Sequence, residues 1–376
     1  MRNFKRRVAV ALAGCDLGTS GSSGVSVFVQ AILPRVRDHL ARNGTSLLVL
    51  GTAREREASG LKGADGPTLP AALDRPAASA AFALLGASGL ARTLGAKVLY
   101  LPCANRRIVG LRAIPTAGTV HDLAQFHVDS KYGALRQVYV RRVLSPLLRA
   151  LSVVTVVSQA TADDVARYAF VPPDRIRVVP NGVTLGSAGS RVAPSAPYLL
   201  YPARLEHPGK NHVRVLEAFA RSRARATHRL VFSGAEWGAG PRIDASIREL
   251  DLGGVVDVLG FVSRDELTNR MANADAVIAA GLFEGFGLPA AEALALGRPV
   301  AASSTGSLPE VVGPLGALFD PLDTASMAAA MDRVIEDVEL RARCSAEGPK
   351  YAERFSWDRA ATAIATALEG VIDAAA

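Results

Sequence analysis

Residues 281–313 of this chain read GLFEGFGLPAAEALALGRPVAASSTGSLPEVVG. The apolar run ADAVIAA, residues 274–280, comes directly before them and predicts a buried strand. Pro289 then stands in what would be the first turn of a helix, a position that proline favours. The chain therefore makes a glycine-rich turn into a helix N-terminus, an arrangement suited to binding an anion.

Two glycines and two carboxylates in this stretch indicate a ligand site. Gly285 and Gly287 carry no Cβ, so the backbone can approach a ligand closely. Glu284 precedes the predicted helix and Glu292 lies about one turn inside it, so the two are not neighbours on one continuous helix. One carboxylate can reach the head of a ligand while the other reaches farther along its body. The alternative interpretation is that Glu284 and Glu292 are solvated charges on a surface turn. We favour the ligand site, because both carboxylates lie among glycines beside an apolar strand.

A second informative segment, YPARLEHPGKNH, covers residues 201–212. Arg204 and Lys210 follow a predicted strand end, where open parallel sheets bind their ligands. Two cations at such a place would neutralise a diphosphate leaving group, whereas isolated cations would be surface charges. A Walker A loop is excluded, because asparagine follows the lysine and Arg204 stands in the place of the first glycine.

The third segment, GTVHDLAQFH, covers residues 118–127 and brings His121 and Asp122 to the end of a run of small and apolar residues, at a predicted strand terminus. One interpretation is that His121 is buried in the core with its hydrogen bonds made there, and the other is that its imidazole faces a ligand. Asp122 either orients the ring or bonds the adjacent backbone. His127 has no comparable context.

Apolar runs and amphipathic stretches alternate twice along the chain, which predicts two βαβ-type halves with parallel sheets. Residues 183–197, rich in Ser, Ala, Gly and Pro, are interpreted as the linker. Ser263 and Glu266 predict a capping box, and Thr161 a helix start. The predicted strands cover residues 6–13, 46–51, 97–102, 151–158, 198–203, 229–234, 255–260, 274–280 and 298–303, and the clearest helices residues 25–41 and 77–94.

The net charge of +8 is divided unevenly. Residues 1–192 hold 25 Lys and Arg against 11 Asp and Glu, and residues 193–376 hold 18 against 24. A basic first half indicates an anionic surface or acceptor, or simply a solvated arginine-rich face. An anionic membrane face is favoured over nucleic acid, because no helix-turn-helix, zinc-finger or aromatic-basic RNA signature occurs. The basic residues concerned are Arg106, Arg107, Arg112, Lys131, Arg136, Arg141, Arg142 and Arg149.

The opening residues 8–24, VAVALAGCDLGTSGSSG, allow two interpretations. Behind the basic start, Leu-Ala-Gly followed by Cys15 resembles the cleavage box of a bacterial lipoprotein signal. The other interpretation makes residues 7–13 a buried strand followed by a glycine loop at a substrate cleft. The apolar core of only six residues is short for a signal, so the strand is favoured. Three cysteines scattered along the sequence form neither a zinc spacing nor a disulfide framework, which suits a reducing compartment.

Several motifs are missing from the sequence. No Asp-x-Asp occurs, so the usual metal-diphosphate clamp of metal-dependent sugar transferases is absent, and neither H-E-x-x-H nor G-x-S-x-G is present. A dinucleotide site would place an acidic residue at the end of the second strand, but that strand runs out into Gly51-Thr-Ala-Arg54. No apolar stretch approaches the ~18–20 residues that span a bilayer.

Four stretches, in order, resemble family 4 of the retaining glycosyltransferases, also called glycosyl transferases group 1. They are VHDL (120–123), TVVSQATADDVARYAFVPPDRIRVVPNGV (155–183), the segment with Arg204 and Lys210, and FEGFGLPAAEALALGRPVAASSTGSLPEVVG (283–313). The resemblance covers most of the chain from about residue 97 onward. It implies an α/β protein of the GT-B fold, in which two Rossmann-like domains with parallel sheets face each other across a cleft.

The resemblance also implies a domain organisation and a set of roles. Residues 1–190 would bind the acceptor, residues 191–355 the nucleotide-sugar donor, and residues 356–376 would form a helix that packs back on the first domain. Arg204 and Lys210 would hold the donor diphosphate, and His121 would lie beside the sugar at the reacting centre. Glu284 would contact the sugar hydroxyls, and Glu292 would bond the ribose. Gly24, with Gly21 as its alternative, would belong to the loop over the phosphates. The residues around sugar and phosphate would be Gly285, Phe286, Gly287 and Leu288.

The expected activity is transfer of a hexose-type sugar from a nucleotide diphosphate to a hydroxyl of a glycan or lipid-linked acceptor in cell-surface polysaccharide biosynthesis, without metal or other cofactor. The expected place is the cytoplasm, with peripheral contact to the inner face of an anionic membrane. No nucleic acid partner is expected. A nucleotide-sugar epimerase of the same fold and a non-catalytic GT-B partner protein are the alternatives; a phosphorylase would need a pyridoxal lysine motif, which is not found.

Overall fold

The computed structural model describes residues 6–17, 23–128, 138–187 and 196–375. They form two compact units. The first unit contains residues 6–123, 138–182 and 356–375, and the second contains 124–128 and 183–355. The predicted linker begins with residues that belong to the second unit, since Val183 N donates to Phe355 O at 3.1 Å.

The described part of the first unit is built on a sheet of seven strands, all parallel, in the order β3-β2-β1-β4-β5-β6-β7. Strands β1, β2, β4, β5 and β6 are almost continuously buried, as in sheets with helices on both faces, whereas the edge strands β3 and β7 are not. They are β1 Arg6–Ala11, β2 Thr45–Thr52, β3 Thr68–Leu69, β4 Val98–Leu101, β5 Thr116–Val120, β6 Val153–Val156 and β7 Ile176–Val178.

The helices of the first unit follow the apolar periodicity of the sequence. They are α1 Gly24–Arg42, α2 Ala53–Ala58, α3 Pro76–Ala81, α4 Ala87–Thr93, α5 Ser145–Arg149, α6 Gln159–Ala169 and α14 Trp357–Ala374. A π-helical turn, Phe82–Gly86, joins α3 to α4, so residues 76–93 are helical throughout, close to the predicted 77–94. The buried faces of α1 and α14 pack against each other, which places the C-terminal helix on this unit.

The second unit repeats the plan with a six-stranded parallel sheet in the order β12-β10-β8-β13-β14-β15 and a two-stranded one, β11-β9. Its strands are β8 Tyr198–Pro202, β9 Leu205–Glu206, β10 Arg229–Ser233, β11 Glu236–Trp237, β12 Val256–Val258, β13 Ala276–Ala279, β14 Val300–Ser303 and β15 Gly316–Phe319. Its helices are α7 His212–Arg221, α8 Gly240–Glu249, α9 Arg264–Asn273, α10 Leu288–Ala295, α11 Leu308–Val312, α12 Thr324–Glu336 and α13 Val338–Ala352.

Three local predictions needed correction. Helix α6 begins at Gln159 behind the cap Ser158, before the predicted Thr161. Only half of the predicted capping box at Ser263 forms: its Oγ accepts from Glu266 N at 3.2 Å, while the Glu266 carboxylate pairs with Arg270. The strands β3, β7, β9, β11 and β15 are short or lie at sheet edges and were not predicted.

The opening stretch folds as a strand. β1 lies between β2 and β4, with Val8 in register with both Leu47 and Val98. Cys15 is 1% exposed, inside the core of the first unit. Cleavage before Cys15 would remove the strand that joins two parts of the sheet, so the structure favours the strand interpretation over the lipoprotein one. Gly18 and Gly21 lie outside the described residues.

Candidate functional site

The segments singled out in the second unit meet at one edge of its sheet. β8, β13 and β14 are neighbours, and the chain leaves all three at their carboxyl ends into residues 203–211, 280–287 and 304–307. Leu282 N donates to Gly209 O at 2.9 Å, which ties the first two loops together. This is the edge where open parallel sheets bind ligands.

Lys210 and Glu284 form an ion pair at the centre of this edge. Lys210 Nζ lies 2.6 Å from Glu284 Oε1, and each side chain is about one-fifth exposed. A Cβ on Gly281 would stand 2.4 Å from that carboxylate oxygen, so glycine leaves the room it occupies. Below the pair, the buried Tyr201 hydroxyl donates to Lys210 O. Burial, and after it the Glu284 charge, raise the pKa of Tyr201 well above its usual value, so it stays neutral.

The backbone of the glycine turn is held by the loop after β14. Ser307 donates to Glu284 O from both its N (3.1 Å) and its Oγ (3.0 Å), and Thr305 Oγ1 donates to Leu282 O at 2.8 Å. Gly306 has a φ of +60°, and a Cβ there would lie 2.5 Å from Glu284 O. The turn is therefore fixed before any ligand binds, which reduces the entropy that binding must overcome.

Arg204 is held separately from Lys210. Its Nη2 lies 3.0 Å from Glu206 Oε2, and its guanidinium lies 4.5 Å from the centroid of the Trp237 ring. β9 and β11 pair, which brings Trp237 beside Arg204; the indole is 57% exposed. A Cβ on Gly234 would lie 2.1 Å from Ala203 O, so glycine permits this close approach of the two loops.

Two of the longer helices begin at this edge without a side-chain cap, as does the five-residue α11. α7 starts after Asn211 (φ 61°) and α10 after Gly287 (φ 87°), and no side chain among the described residues caps either. The Asn211 amide donates instead to Pro321 O at 2.7 Å. Hydroxyl or carboxylate caps occur at α1, α2, α6, α9, α12, α13 and α14, whereas in the described part of the chain α3, α4, α5, α8 and α11 also lack one. Uncapped first-turn amides attract an anion, which adds to the charge of Lys210.

Glu292 lies inside α10 and is 2% exposed. Its Oε1 accepts from Arg264 Nη1 at 2.7 Å, the guanidinium standing at the start of α9. Burial raises the pKa of Glu292 to about 7, although Arg264 opposes the shift. The carboxylate therefore changes protonation near neutral pH, and Arg264 fixes its orientation.

The other predicted residues fall into different environments. Phe286 is buried and meets the Phe355 ring edge-on at 5.3 Å, so only its backbone can serve a ligand. Gly24 is the exposed first residue of α1, behind the Ser23 cap, and is not part of a loop as expected. His121, in the first unit, is 7% exposed at the carboxyl end of β5, with Nε2 2.8 Å from Pro102 O. Because a carbonyl only accepts, Nε2 carries the proton.

Sequence reasoning missed the partners of its own candidates. The positions of two of these partners could have identified them. Glu206 stands two residues after Arg204, beside a strand end, and Arg264 directly follows the cap of α9 after the predicted strand 255–260. Trp237 had none, because only the pairing of β9 with β11 brings it to Arg204. His127, given no role, stacks on Phe283 with ring centroids 4.0 Å apart.

This edge brings together two cations, each paired with a carboxylate, and the N-termini of α7 and α10. A third carboxylate, Glu292, is paired with Arg264. Among the described residues, no group of three His, Cys, Asp or Glu side chains is placed to hold a metal ion. Across the same residues, no helix combines the length and apolar character that crossing a bilayer requires.

Two Rossmann-like units with parallel sheets define an α/β protein of the GT-B class, as expected. Sucrose-phosphate synthase from Thermosynechococcus elongatus has the same fold, with a TM-score of 0.75 at 18% identity over 99% of this chain and 100% of that one. So has the Anabaena protein HepE in complex with UDP and glucose, with a TM-score of 0.71 at 18% identity, over 97% and 100%.

The family follows from the sequence comparisons. Residues 188–351 match the family described as Glycosyl transferases group 1, and residues 29–186 match Glycosyltransferase Family 4. The chain belongs to these glycosyltransferases. It is 32% identical to MMP alpha-(1->4)-mannosyltransferase of Mycolicibacterium hassiacum, over 57% of this chain and 53% of that protein. It is 28% identical to O-antigen chain mannosyltransferase B of Escherichia coli, over 65% and 67%. The chain thus matches about half to two-thirds of the length of these two relatives.

Proposed function

We propose that this protein is a retaining glycosyltransferase that moves a hexose-type sugar from a nucleotide diphosphate to a hydroxyl of a glycan or lipid-linked acceptor, without a metal ion. The observation that carries the proposal is the Lys210–Glu284 pair beside two uncapped helix N-termini. A diphosphate-linked sugar presents anionic oxygens next to hydroxyl groups, and this edge presents a cation next to a carboxylate.

The donor diphosphate takes up negative charge as its bond to the sugar breaks. Arg204, Lys210 and the amides at Gly287 and Leu288 would stabilise that charge most at the transition state, which is where binding accelerates a reaction. Glu206 and Glu284 hold the two cations in place beforehand, so little reorganisation is needed. Cations in these positions do the work that an Asp-x-Asp-bound metal does elsewhere, and the sequence contains no Asp-x-Asp.

The carboxylates would recognise hydroxyl groups. Glu284 would contact those of the sugar and Glu292, from inside α10, those of the ribose. The leaving phosphate oxygen would take the acceptor proton on the face it departs from, which keeps the anomeric configuration. His121 would lie beside the sugar. Two of the relatives are named mannosyltransferases, which supports a hexose donor.

The first unit offers a surface for an anionic acceptor or membrane. The described residues 138–149 form a helical segment whose exposed side includes Val138, Arg141, Arg142 and Val143. Apolar and cationic side chains on one face match an interfacial helix on anionic lipid. The protein should therefore sediment with phosphatidylglycerol vesicles at low salt and dissociate at high salt; no sedimentation at low salt would remove the membrane part of the proposal. Lys131 and Arg136 lie outside the described residues.

The central test is nucleotide binding followed by turnover. Thermal-shift measurements with UDP, GDP, dTDP and ADP should select one nucleotide, since a ligand at 100 times its Kd stabilises by about 2.7 kcal/mol. Lys210→Met should weaken the binding of that nucleotide roughly 10- to 150-fold, because a charge-assisted hydrogen bond contributes about 1.5–3 kcal/mol. Lys350→Met, which removes an exposed lysine from α13, is the matched control and should change nothing.

Turnover separates the alternatives. With the nucleotide sugar and no acceptor, a transferase should hydrolyse its donor slowly, at a rate that EDTA leaves unchanged. Fast isomerisation of the donor without acceptor would identify an epimerase instead. Equal nucleotide affinity in the Lys210→Met and Lys350→Met proteins would refute the diphosphate site.

A further inference from the structure

Two cysteines that are 88 residues apart in the sequence meet in the first unit, outside the site described above. Cys15 and Cys103 are free thiols, each 1% exposed, with their Sγ atoms 3.0 Å apart. Cys15 follows β1 and Cys103 follows β4, and these strands are neighbours in the sheet. The pair therefore lies at the carboxyl edge of the first sheet, where the chain also places His121.

The surroundings of Cys103 favour a thiolate. Burial by itself would raise the pKa of Cys103, but its side-chain hydrogen bonds with Cys15 and His121, together with the Arg106 charge, lower it to about 6. Burial raises the pKa of Cys15 well above its usual value, so Cys15 keeps its proton. His121, whose Nε2 donates to Pro102 O, lies beside Cys103 and contributes to the lowered pKa of that thiol. One sulfur is thus a nucleophile and the other a thiol in contact with it.

Arg106 links this pair to solvent. Its Nη1 bonds the carboxylate of Asp16, the residue after Cys15, and both side chains are about 30% exposed. Both cysteines are buried, so a small neutral oxidant such as a peroxide suits this pair, whereas a protein thiol does not.

We propose that Cys15 and Cys103 form a reversible oxidation site that a peroxide converts to a disulfide beside His121. The Cys103 thiolate attacks one oxygen of the peroxide, the O–O bond breaks, and after proton uptake Cys103 carries a sulfenic acid while one water leaves. The Cys15 sulfur then attacks the Cys103 sulfur, the S–O bond breaks, and the hydroxyl leaves as a second water with the Cys15 proton. Two thiols and one hydrogen peroxide give one disulfide and two waters.

The disulfide changes the environment of His121. A disulfide sulfur has neither the charge of the thiolate nor a proton to donate, so the His121 imidazole loses its interaction with Cys103. The consequence for catalysis rests on the role proposed for His121 in sugar transfer, where an imidazole without this partner should lower turnover. Formation of the disulfide does not depend on that role.

The experiment uses the full-length Cys344→Ser protein, because Cys344 is a buried thiol of the second unit and its removal leaves only the pair. Treatment with hydrogen peroxide should lower the intact mass by about 2 Da and titratable thiols from two to none, with dithiothreitol reversing both. A non-reducing digest should contain the cross-linked peptides of Cys15 and Cys103. The same protein with Cys15→Ser added should gain about 16 or 32 Da instead, because Cys103 then has no resolving partner.

Donor turnover is followed in the same samples, with the Cys103→Ser protein as the control that peroxide should not affect. Loss of turnover that dithiothreitol restores supports the proposal. Native protein that keeps both thiols under conditions that oxidise the unfolded chain overturns the oxidation site. A disulfide that forms and leaves turnover unchanged overturns its consequence for catalysis through His121. The mass measurement requires no sugar transfer, so a failure of the proposed function is distinguishable from a failure of the oxidation site.

Discussion

Glu292→Gln should make the chain more stable relative to wild type as the pH rises. In the unfolded chain Glu292 loses its proton near its ordinary pKa of 4.5, whereas burial holds the folded pKa at about 7. Between these values the folded chain binds one proton more than the unfolded chain, so the wild-type free energy of unfolding falls with pH. Glutamine keeps the shape of the side chain and has no proton to lose, so the variant lacks this slope.

The magnitude follows from the shift. About 2.5 pKa units at 1.36 kcal/mol each give roughly 3.4 kcal/mol in all, of which about 2.5 kcal/mol falls between about pH 5 and pH 8.5. Urea unfolding of both proteins at these two pH values, followed by circular dichroism, measures the change in their difference. Other titrating groups are shared by the two proteins and cancel in the comparison.

Glu336→Gln provides a control of opposite sign. Glu336 is half-exposed and pairs with Arg223, which lowers its pKa. Its folded pKa lies below the unfolded value of 4.5, so its contribution to stability is lost as the pH falls through and below that value. The glutamine variant should therefore lose relative stability as pH rises through this acidic range, and its difference from wild type should stay nearly constant between about pH 5 and pH 8.5. If the difference between Glu292→Gln and wild type is the same at both pH values, the assignment of a raised pKa to Glu292 is refuted.

Two further substitutions probe the preorganised edge. Gly306→Ala should lower the free energy of unfolding by about 1–2 kcal/mol through backbone strain, and further through a steric clash with Glu284 O, and it should weaken nucleotide binding. Gly238→Ala (φ 86°), where a Cβ meets nothing within 4 Å, measures the strain alone. An equal effect in both variants would contradict the clash. Glu206→Gln should weaken nucleotide binding several-fold by releasing Arg204, and should have no effect in an Arg204→Met background; additive effects of the two changes would show that Glu206 does not act through Arg204.

The elements were predictable where their signal is local. Strands β8, β10 and β14 lie inside the predicted runs 198–203, 229–234 and 298–303, because a buried strand of a parallel sheet is apolar over its whole length. Helix α10 starts at Leu288 as the glycine turn and Pro289 predict. β9 and β11 failed because two-residue strands leave no periodicity to detect.

The candidate site was predictable as a set of groups and not as a set of contacts. Lys210 and Glu284 were both named from their positions after strand ends, and the order of β8 and β13 in the sheet brings them together. Arg204 was expected to act with Lys210, but the structure pairs it with Glu206 and Trp237. Phe286 looked like part of the ligand turn, and its ring belongs to the core.

The sequence by itself determined the two parallel-sheet units, the glycine turn and the identity of the charged groups, because apolar periodicity, helix starts and turn residues act over a few neighbouring positions. Only the tertiary structure decided which partner each group has. Lys210 pairs with Glu284, Arg264 pairs with Glu292, and Cys15 contacts Cys103. These partners lie 28 to 88 residues apart. The order of the strands in the sheet determines which loops become neighbours, and no local pattern encodes that order.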